Sequence, residues 1–212
     1  MRPRFSVSAV VALAICAAMP TGVAGVSAKA ASDQAVLRRA SGCVFRRDGG
    51  AARRLVGAIP GSPEESSAER EIARSVELCL AGVGLTVTPR RTAIITGSIA
   101  QRYYLDKVDR YRSYVSGETN PSSRPRWVLE RTSTWPKADA ALNCIVERDS
   151  NAADRVLRTA VGSRDEASAI AEAIALLPLC IEAGATLALD RSLLRAGLAR
   201  AMYRYVVVNL RP

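Results

Sequence analysis

Apolar residues recur at helical spacing in both halves of the chain. In the first half, intervals of four, three and four residues separate Ile72, Val76, Cys79 and Val83. In the second half, the matching stripe is formed by Ala173, Leu177 and Cys180. Such intervals place side chains on one side of an α-helix. Each half is therefore predicted to contain an amphipathic helix that carries a cysteine on its buried side.

Similar helix-start signals precede the two stripes. The segments at 62–65 (Ser-Pro-Glu-Glu) and 163–166 (Ser-Arg-Asp-Glu) have capping-box spacing, with a glutamate three residues after a serine. Asp48 and Asp149 predict the start of a preceding helix, because aspartate is a favoured N-cap. Pro178 is predicted to kink or end the second-half helix early, since proline removes a helical hydrogen bond.

Each half ends in a predicted basic helix, which begins at Thr88 or Asp190. The apolar face of the second helix comprises Leu193, Leu194, Leu198, Ala201, Met202 and Tyr205. A weaker face in the first comprises Ile94, Ile95, Ile99 and Tyr103. The arginines, predicted to lie mostly off these faces, are the candidate anion-binding residues Arg90, Arg91, Arg102, Arg191, Arg195, Arg200 and Arg204. The alternative interpretation is a solvated outer helix face.

The two halves are related as a repeat. Residues 43–79 and 144–180 align without a gap and are identical at 14 of 37 positions, which indicates a tandem duplication. The predicted fold is all-α: a duplicated, disulfide-stapled multi-helix unit packed with pseudo-two-fold symmetry. The units are expected at 31–106 and 138–212, joined by an Arg- and aromatic-rich linker at 107–137. The repeat is compatible with one shared core or with two.

The N-terminus has the features of an export signal. Arg2 and Arg4 precede a largely apolar stretch at 5–19, and small residues offer cleavage sites after Ala28 or Ala30. Residues 1–30 are therefore predicted to be a signal peptide, with a lipoprotein signal at Cys16 as the alternative. No later stretch is apolar for long enough to span a membrane.

Removal of the signal leaves four cysteines, and an even number in an oxidising compartment favours disulfides. Four cysteines allow three connectivities. We favour Cys43–Cys79 and Cys144–Cys180, since a unit that was duplicated needs its own internal bridge. Each loop would contribute roughly 3–4 kcal/mol in the chain-entropy description. A catalytic thiol or a metal site is the alternative use of these cysteines.

Composition excludes several kinds of chemistry. The chain contains no histidine, which rules out Ser-His-Asp and Cys-His catalysis and histidine-containing zinc sites. No cofactor is expected. Beyond the signal there are 27 basic and 20 acidic residues, a net charge of about +7. This charge favours an anionic partner, although a coding bias towards arginine and alanine would produce the same excess.

The second half carries a characteristic order of motifs. They are Cys144, Arg-Asp at 148–149, Ala-Ala at 152–153, Gly-Ser at 162–163, Cys180, Gly184, Leu-Arg at 194–195 and Met-Tyr-Arg at 202–204. In this order the chain resembles an uncharacterised family of small exported bacterial proteins with a paired-cysteine helical unit. The resemblance implies export and a helical fold but no activity. The first half departs from it in its last helix, which lacks the Leu-Arg pair.

These features favour an exported, non-enzymatic binding or structural protein of the bacterial cell envelope, periplasmic or secreted. Its expected partner is an anionic envelope surface, bound through the arginine-rich helices or the linker, or a periplasmic protein. Nucleic acid is not expected, because the chain is predicted to be exported. The alternative is a cell-wall glycan hydrolase that uses one carboxylate from each unit, either Asp48 with Asp149 or Glu71 with Glu172.

Overall fold

The computed structural model of the protein describes residues 24–110, 135–182, 185 and 187–209, and every regular element in these ranges is helical. The helices are α1 (Ala24–Gly57), α2 (Pro63–Ala81), α3 (Pro89–Arg110), α4 (Lys137–Arg148), α5 (Ser150–Arg158), α6 (Arg164–Ala175) and α7 (Arg191–Asn209). The all-α prediction is confirmed. Most of the predicted signal, including Cys16, and residues 111–134 of the predicted linker lie outside the described ranges.

The predicted helix starts at Asp48 and Asp149 are breaks in the backbone. Asp149 (φ −151°, ψ 89°) separates α4 from α5, and its Oδ1 accepts a hydrogen bond from the Ala152 N–H at 2.9 Å. Asp48 (φ −135°, ψ 43°) bends the long α1 at the matching position, where its carboxylate accepts a hydrogen bond from the Ser75 hydroxyl. The first unit therefore has one bent helix, whereas the second unit has two separate helices at the matching place.

The predicted capping boxes form in both units. Ser62 accepts a hydrogen bond from the Glu65 N–H at 3.1 Å, and Ser163 accepts one from the Glu166 N–H at 3.0 Å. Each glutamate in turn accepts a hydrogen bond, at 2.6 Å, from the N–H of the glycine that precedes the serine. Both glycines, at positions 61 and 162, have positive φ angles (78° and 81°), which favour glycine.

Both disulfides have the pairing favoured by the repeat. Cys43–Cys79 joins α1 to α2, and Cys144–Cys180 joins α4 to the turn after α6, with Cα–Cα distances of 5.8 and 5.6 Å. Pro178 has the predicted effect: α6 ends at Ala175 and a short 3-10 turn follows at Leu177–Leu179.

Helices from both units contribute to one hydrophobic core. Its fully buried side chains include Val44, Leu55 and Ile72 from the first unit and Ile145, Leu157 and Leu198 from the second. The last helices of the two units, α3 and α7, pack most extensively against each other. Their approach is so close that a Cβ built on Gly97 would lie 2.3 Å from the Cβ of Ala196. The two halves of the chain thus share a core.

The prediction that the arginines of α7 lie on an outer, solvated face of the helix is wrong for two of them. Arg195 and Arg204 are only 5% and 4% exposed, so they lie inside the protein. The physical reason is that α7 packs against α1, α3, α4 and α5, which leaves little of its surface to solvent. Separately, none of the described helices is both long enough and apolar enough to cross a bilayer.

Replacing Gly97 with alanine should destabilise the protein. The new methyl group would overlap the Ala196 backbone, whose Cα lies 2.4 Å from the built Cβ, and overpacking of this kind typically costs about 1–3 kcal/mol. Urea unfolding of the oxidised protein measures this change. Gly50→Ala is the matched control, because its Cβ would meet only the far end of Arg54 at 4.0 Å. An equally stable Gly97→Ala protein would contradict the close helix crossing.

Candidate anion-binding groove

A groove of about 330 Å³ lies between α1 and α3. We call it the α1–α3 groove, and its lining residues are Arg38, Ser41, Gly42, Phe45, Ser98, Ile99, Gln101, Arg102 and Leu105. The α1 residues are spaced three, one and three apart, and four of the α3 residues (98, 101, 102 and 105) have the same spacing. Each helix therefore contributes one continuous face.

Small residues keep this groove open. Gly42 has no side chain, and the hydroxyls of Ser41 and Ser98 are turned onto their own helices, where each donates to a backbone carbonyl at 2.8 Å. The Gln101 amide is also engaged, since its Nε2 donates to the Leu157 carbonyl at 2.6 Å. The polar groups left to meet a ligand are therefore the guanidinium groups.

The charge of the groove is positive. Arg38 and Arg102 are exposed, and neither forms an ion pair with any residue that the structure describes. The Arg102 guanidinium lies 4.3 Å from the centre of the Phe45 ring, a cation–π contact that leaves its N–H groups free to bind. Arg46 adds a third cation at the rim, because its Nη1 lies 3.8 Å from the Cβ position of residue 42. No carboxylate is among the lining residues.

The apolar part of the groove is formed by three side chains, which are Phe45, Ile99 and Leu105. A separate small cavity of about 10 Å³ is lined by Arg38, which also lines the groove, and by the buried Arg195. That volume suits one water molecule and no ligand. Burial lowers the pKa of Arg195, Glu166 opposes this shift, and the charge of Arg38 adds to it.

The structure does not bring the seven predicted arginines to one surface. Arg102 lines the groove. Arg90 donates two hydrogen bonds to Asp190, at 2.9 and 2.7 Å, and so links the two units. Arg91 donates to the Thr86 carbonyl at 2.8 Å, and Arg191 is exposed at the start of α7. The remaining three are engaged with carboxylates inside the protein.

The ion pair between Arg90 and Asp190 is one of the interactions that shift the pKa of Asp190. Partial burial acts to raise the pKa of Asp190, but hydrogen bonds from the Leu193 N–H and from Arg90 hold that pKa below its usual value. Asp190 is thus both the N-cap of α7, as predicted, and the partner of Arg90.

Arg195 and Glu166 form a buried ion pair that further hydrogen bonds support. Arg195 Nη1 donates to Glu166 Oε1 at 2.8 Å, and Nη2 donates to the carbonyls of Leu157 and Thr159, each at 3.0 Å. The Glu166 side chain is fully buried and the Arg195 side chain is 6% exposed. Burying two charges is costly, and these extra hydrogen bonds offset the desolvation.

A second buried cluster surrounds Arg200 and Arg204. Arg200 pairs with Glu65, the capping glutamate of the first unit, and lies 3.9 Å from Asp139. Arg204 Nη2 lies 3.6 Å from Asp139 Oδ1, and its guanidinium lies 5.9 Å from the centre of the Trp135 ring. Burial, followed by the charge of Arg200, lowers the pKa of Arg204 to about 9.

The carboxylates proposed for hydrolysis have structural partners. Asp48 binds Ser75 and Asp149 caps α5, while Glu71 pairs with Arg54 and Glu172 pairs with Arg155. Among the described residues no cluster of three or more His, Cys, Asp or Glu side chains could hold a metal ion.

A larger groove of about 700 Å³ lies beside the C-terminal half of α1. Its charged residues are Arg53, Arg54, Glu64 and Glu71, so its charges balance, and Arg54 is already paired with Glu71. This balance gives it no preference for an anion, which leaves the α1–α3 groove as the better candidate site.

The fold and site define a class of disulfide-stapled helical protein with an arginine-lined groove. In comparisons with known proteins, no family, no curated protein and no solved structure matches this chain.

Replacing Glu166 with glutamine should strongly destabilise the fold, because Arg195 would keep a buried charge without its partner. Breaking a buried pair in this way typically costs about 3–5 kcal/mol. Urea unfolding measures the loss. Glu172→Gln on the same helix is the matched control: its pair with Arg155 is half exposed, and such pairs contribute at most about 1 kcal/mol. Equal losses in both variants would refute a special role for the buried pair.

Proposed function

We propose that this chain is an exported, non-enzymatic binding protein of the bacterial cell envelope, and that it binds an anionic lipid surface through the α1–α3 groove. One observation carries the proposal: Arg38 and Arg102 face a shared groove without a carboxylate among its lining residues. Unneutralised guanidinium groups attract phosphate and carboxylate, with which they form paired hydrogen bonds.

The apolar side of the groove favours a lipid over a fully polar polymer. Phe45, Ile99 and Leu105 line the same space as the two arginines. A ligand that fills the groove therefore needs an anionic group and an apolar portion, which is the chemistry of an anionic phospholipid at the membrane interface.

Export is supported by the two disulfides and by the signal-like N-terminus. Disulfides persist in oxidising compartments outside the cytoplasm. We also propose that the chain is a tandem duplication whose two units are related by approximate two-fold symmetry. It is supported by the matching breaks at Asp48 and Asp149, the matching caps and the matching bridges.

A glycan hydrolase has less support. That chemistry needs two carboxylates free to flank a glycosidic bond, whereas each of the four candidates is held by a cap, a hydroxyl or an arginine. Binding without catalysis is therefore the function that we propose.

Oxidised protein recovered after export should co-sediment with vesicles that contain phosphatidylglycerol, at about 0.1 M salt. Binding should be much weaker at about 0.5 M salt, where exposed charges are screened. Arg38→Ser with Arg102→Ser should weaken binding on the order of 30-fold, since each arginine near an anionic surface contributes about 1 kcal/mol.

The matched control is Arg39→Ser with Arg47→Ser. It removes the same charge from two exposed α1 arginines that do not line the groove. A large loss in the groove variant alone supports the proposal. Absence of vesicle binding by the unchanged protein would overturn it and favour a periplasmic protein as the partner.

A further inference from the structure

The second unit contains a neutralised counterpart of the α1–α3 groove. With the repeat offset of 101 residues, Arg38 corresponds to Asp139 and Arg46 to Glu147. Counted from the helix caps at Thr88 and Asp190, Arg102 corresponds to Arg204 and Ser98 to Arg200. The helix pairs also correspond, since α1 packs on α3 and α4 packs on α7.

The structure itself supports this correspondence. Arg38 and Arg102 line one groove in the first unit. In the second unit the residues at the matching positions meet directly, with Asp139 Oδ1 3.6 Å from Arg204 Nη2. The groove of the first unit is thus equivalent in position to the site in the second unit where a carboxylate lies beside an arginine.

The charges differ in a way that leaves the first site incomplete. In the second unit the matching positions hold Asp139, Glu147, Arg200 and Arg204, which sum to a net charge of zero, and Arg200 also pairs with Glu65 of the first unit. In the first unit the same four positions hold Arg38, Arg46, Ser98 and Arg102, for a net charge of +3. Arg102 therefore lacks the internal carboxylate that its counterpart Arg204 has.

The first site also has the space that the second lacks. Ser41, Gly42 and Ser98 stand where the second unit has the larger Leu142, Asn143 and Arg200. As a result the first site is an open groove of about 330 Å³, whereas Arg204 is 4% exposed. The open groove can therefore admit an external anion between Arg38 and Arg102.

We infer that the α1–α3 groove is a single site, one per chain, for the phosphate group of a phospholipid, which takes the place that the Asp139 carboxylate has in the second unit. Arg38 and Arg102, with Arg46 at the rim, suit a phosphate, and Phe45 and Leu105 are the partly exposed apolar side chains that face the apolar portion of the lipid. This inference rests on the proposed function and adds the ligand group, its position and its stoichiometry.

The test is calorimetric titration of the oxidised, exported protein with dihexanoyl phosphatidylglycerol below its micelle concentration. We expect one lipid bound per chain. Arg38→Asp should weaken binding at least tenfold, because it restores the internal carboxylate beside Arg102. The second unit already accommodates that arrangement, and circular dichroism checks that the variant keeps its fold.

The matched control is Arg39→Asp, which makes the same charge change at an exposed neighbour outside the groove and should leave the affinity within about twofold. Arg38→Gln provides a neutral variant if Arg38→Asp fails to fold, and it too should weaken binding more than Arg39→Asp does. Inorganic phosphate identifies the source of the anion, and equal affinity for it would overturn the lipid assignment.

Failure of the inference differs from failure of the proposed function. Vesicle binding that Arg38→Asp and Arg39→Asp weaken equally, with no one-to-one binding of the short-chain lipid, would overturn the single site and leave a diffuse surface interaction. A protein that binds neither vesicles nor short-chain lipid would overturn both.

Discussion

The fold depends on arginines of one central helix that reach the capping glutamates of both units. Arg195 binds Glu166 at the start of α6, and Arg200 binds Glu65 at the start of α2. Each glutamate already accepts a hydrogen bond from the glycine of its own turn, so the α7 arginines tie two helix N-termini to the centre of the molecule. Because an unpaired buried charge is costly, these contacts favour one arrangement of helices over alternatives that would separate the pairs.

Much of the fold could be predicted from local signals. Ser62, Ser163, Asp149 and Asp190 act as caps because their hydrogen bonds reach only two or three residues along the chain. The disulfides followed from the repeat, and the helix break near Pro178 followed from the missing N–H. All of these interactions lie within one unit, and for the caps and the proline the local spacing alone determines which groups can meet.

The site could not be predicted in the same way, because it depends on contacts between segments distant in sequence. Helical periodicity placed the α7 arginines off its apolar face, but four neighbouring helices surround α7. Arg38 was missed because it precedes the cysteine with which the recognised repeat begins. The sequence did contain one signal, which is the change of charge sign between Arg38 and the aligned Asp139. This change points to a site only when it is known that α1 extends upstream of Cys43 and that α3 packs beside it.

The proposed duplication offers a physical explanation for how such a site would arise. Each unit contains an equivalent pair of packed helices. In the second unit, Asp139 lies between Arg200 and Arg204 and fills the space between the helices. In the first unit the same positions carry the like charges of Arg38, Arg46 and Arg102, which repel one another. An anion bound there would relieve this repulsion, and any ligand that binds only the folded state also stabilises it. Under the proposed duplication, the internal ion pairs of the second unit would maintain the core while the first unit diverged towards the proposed binding function.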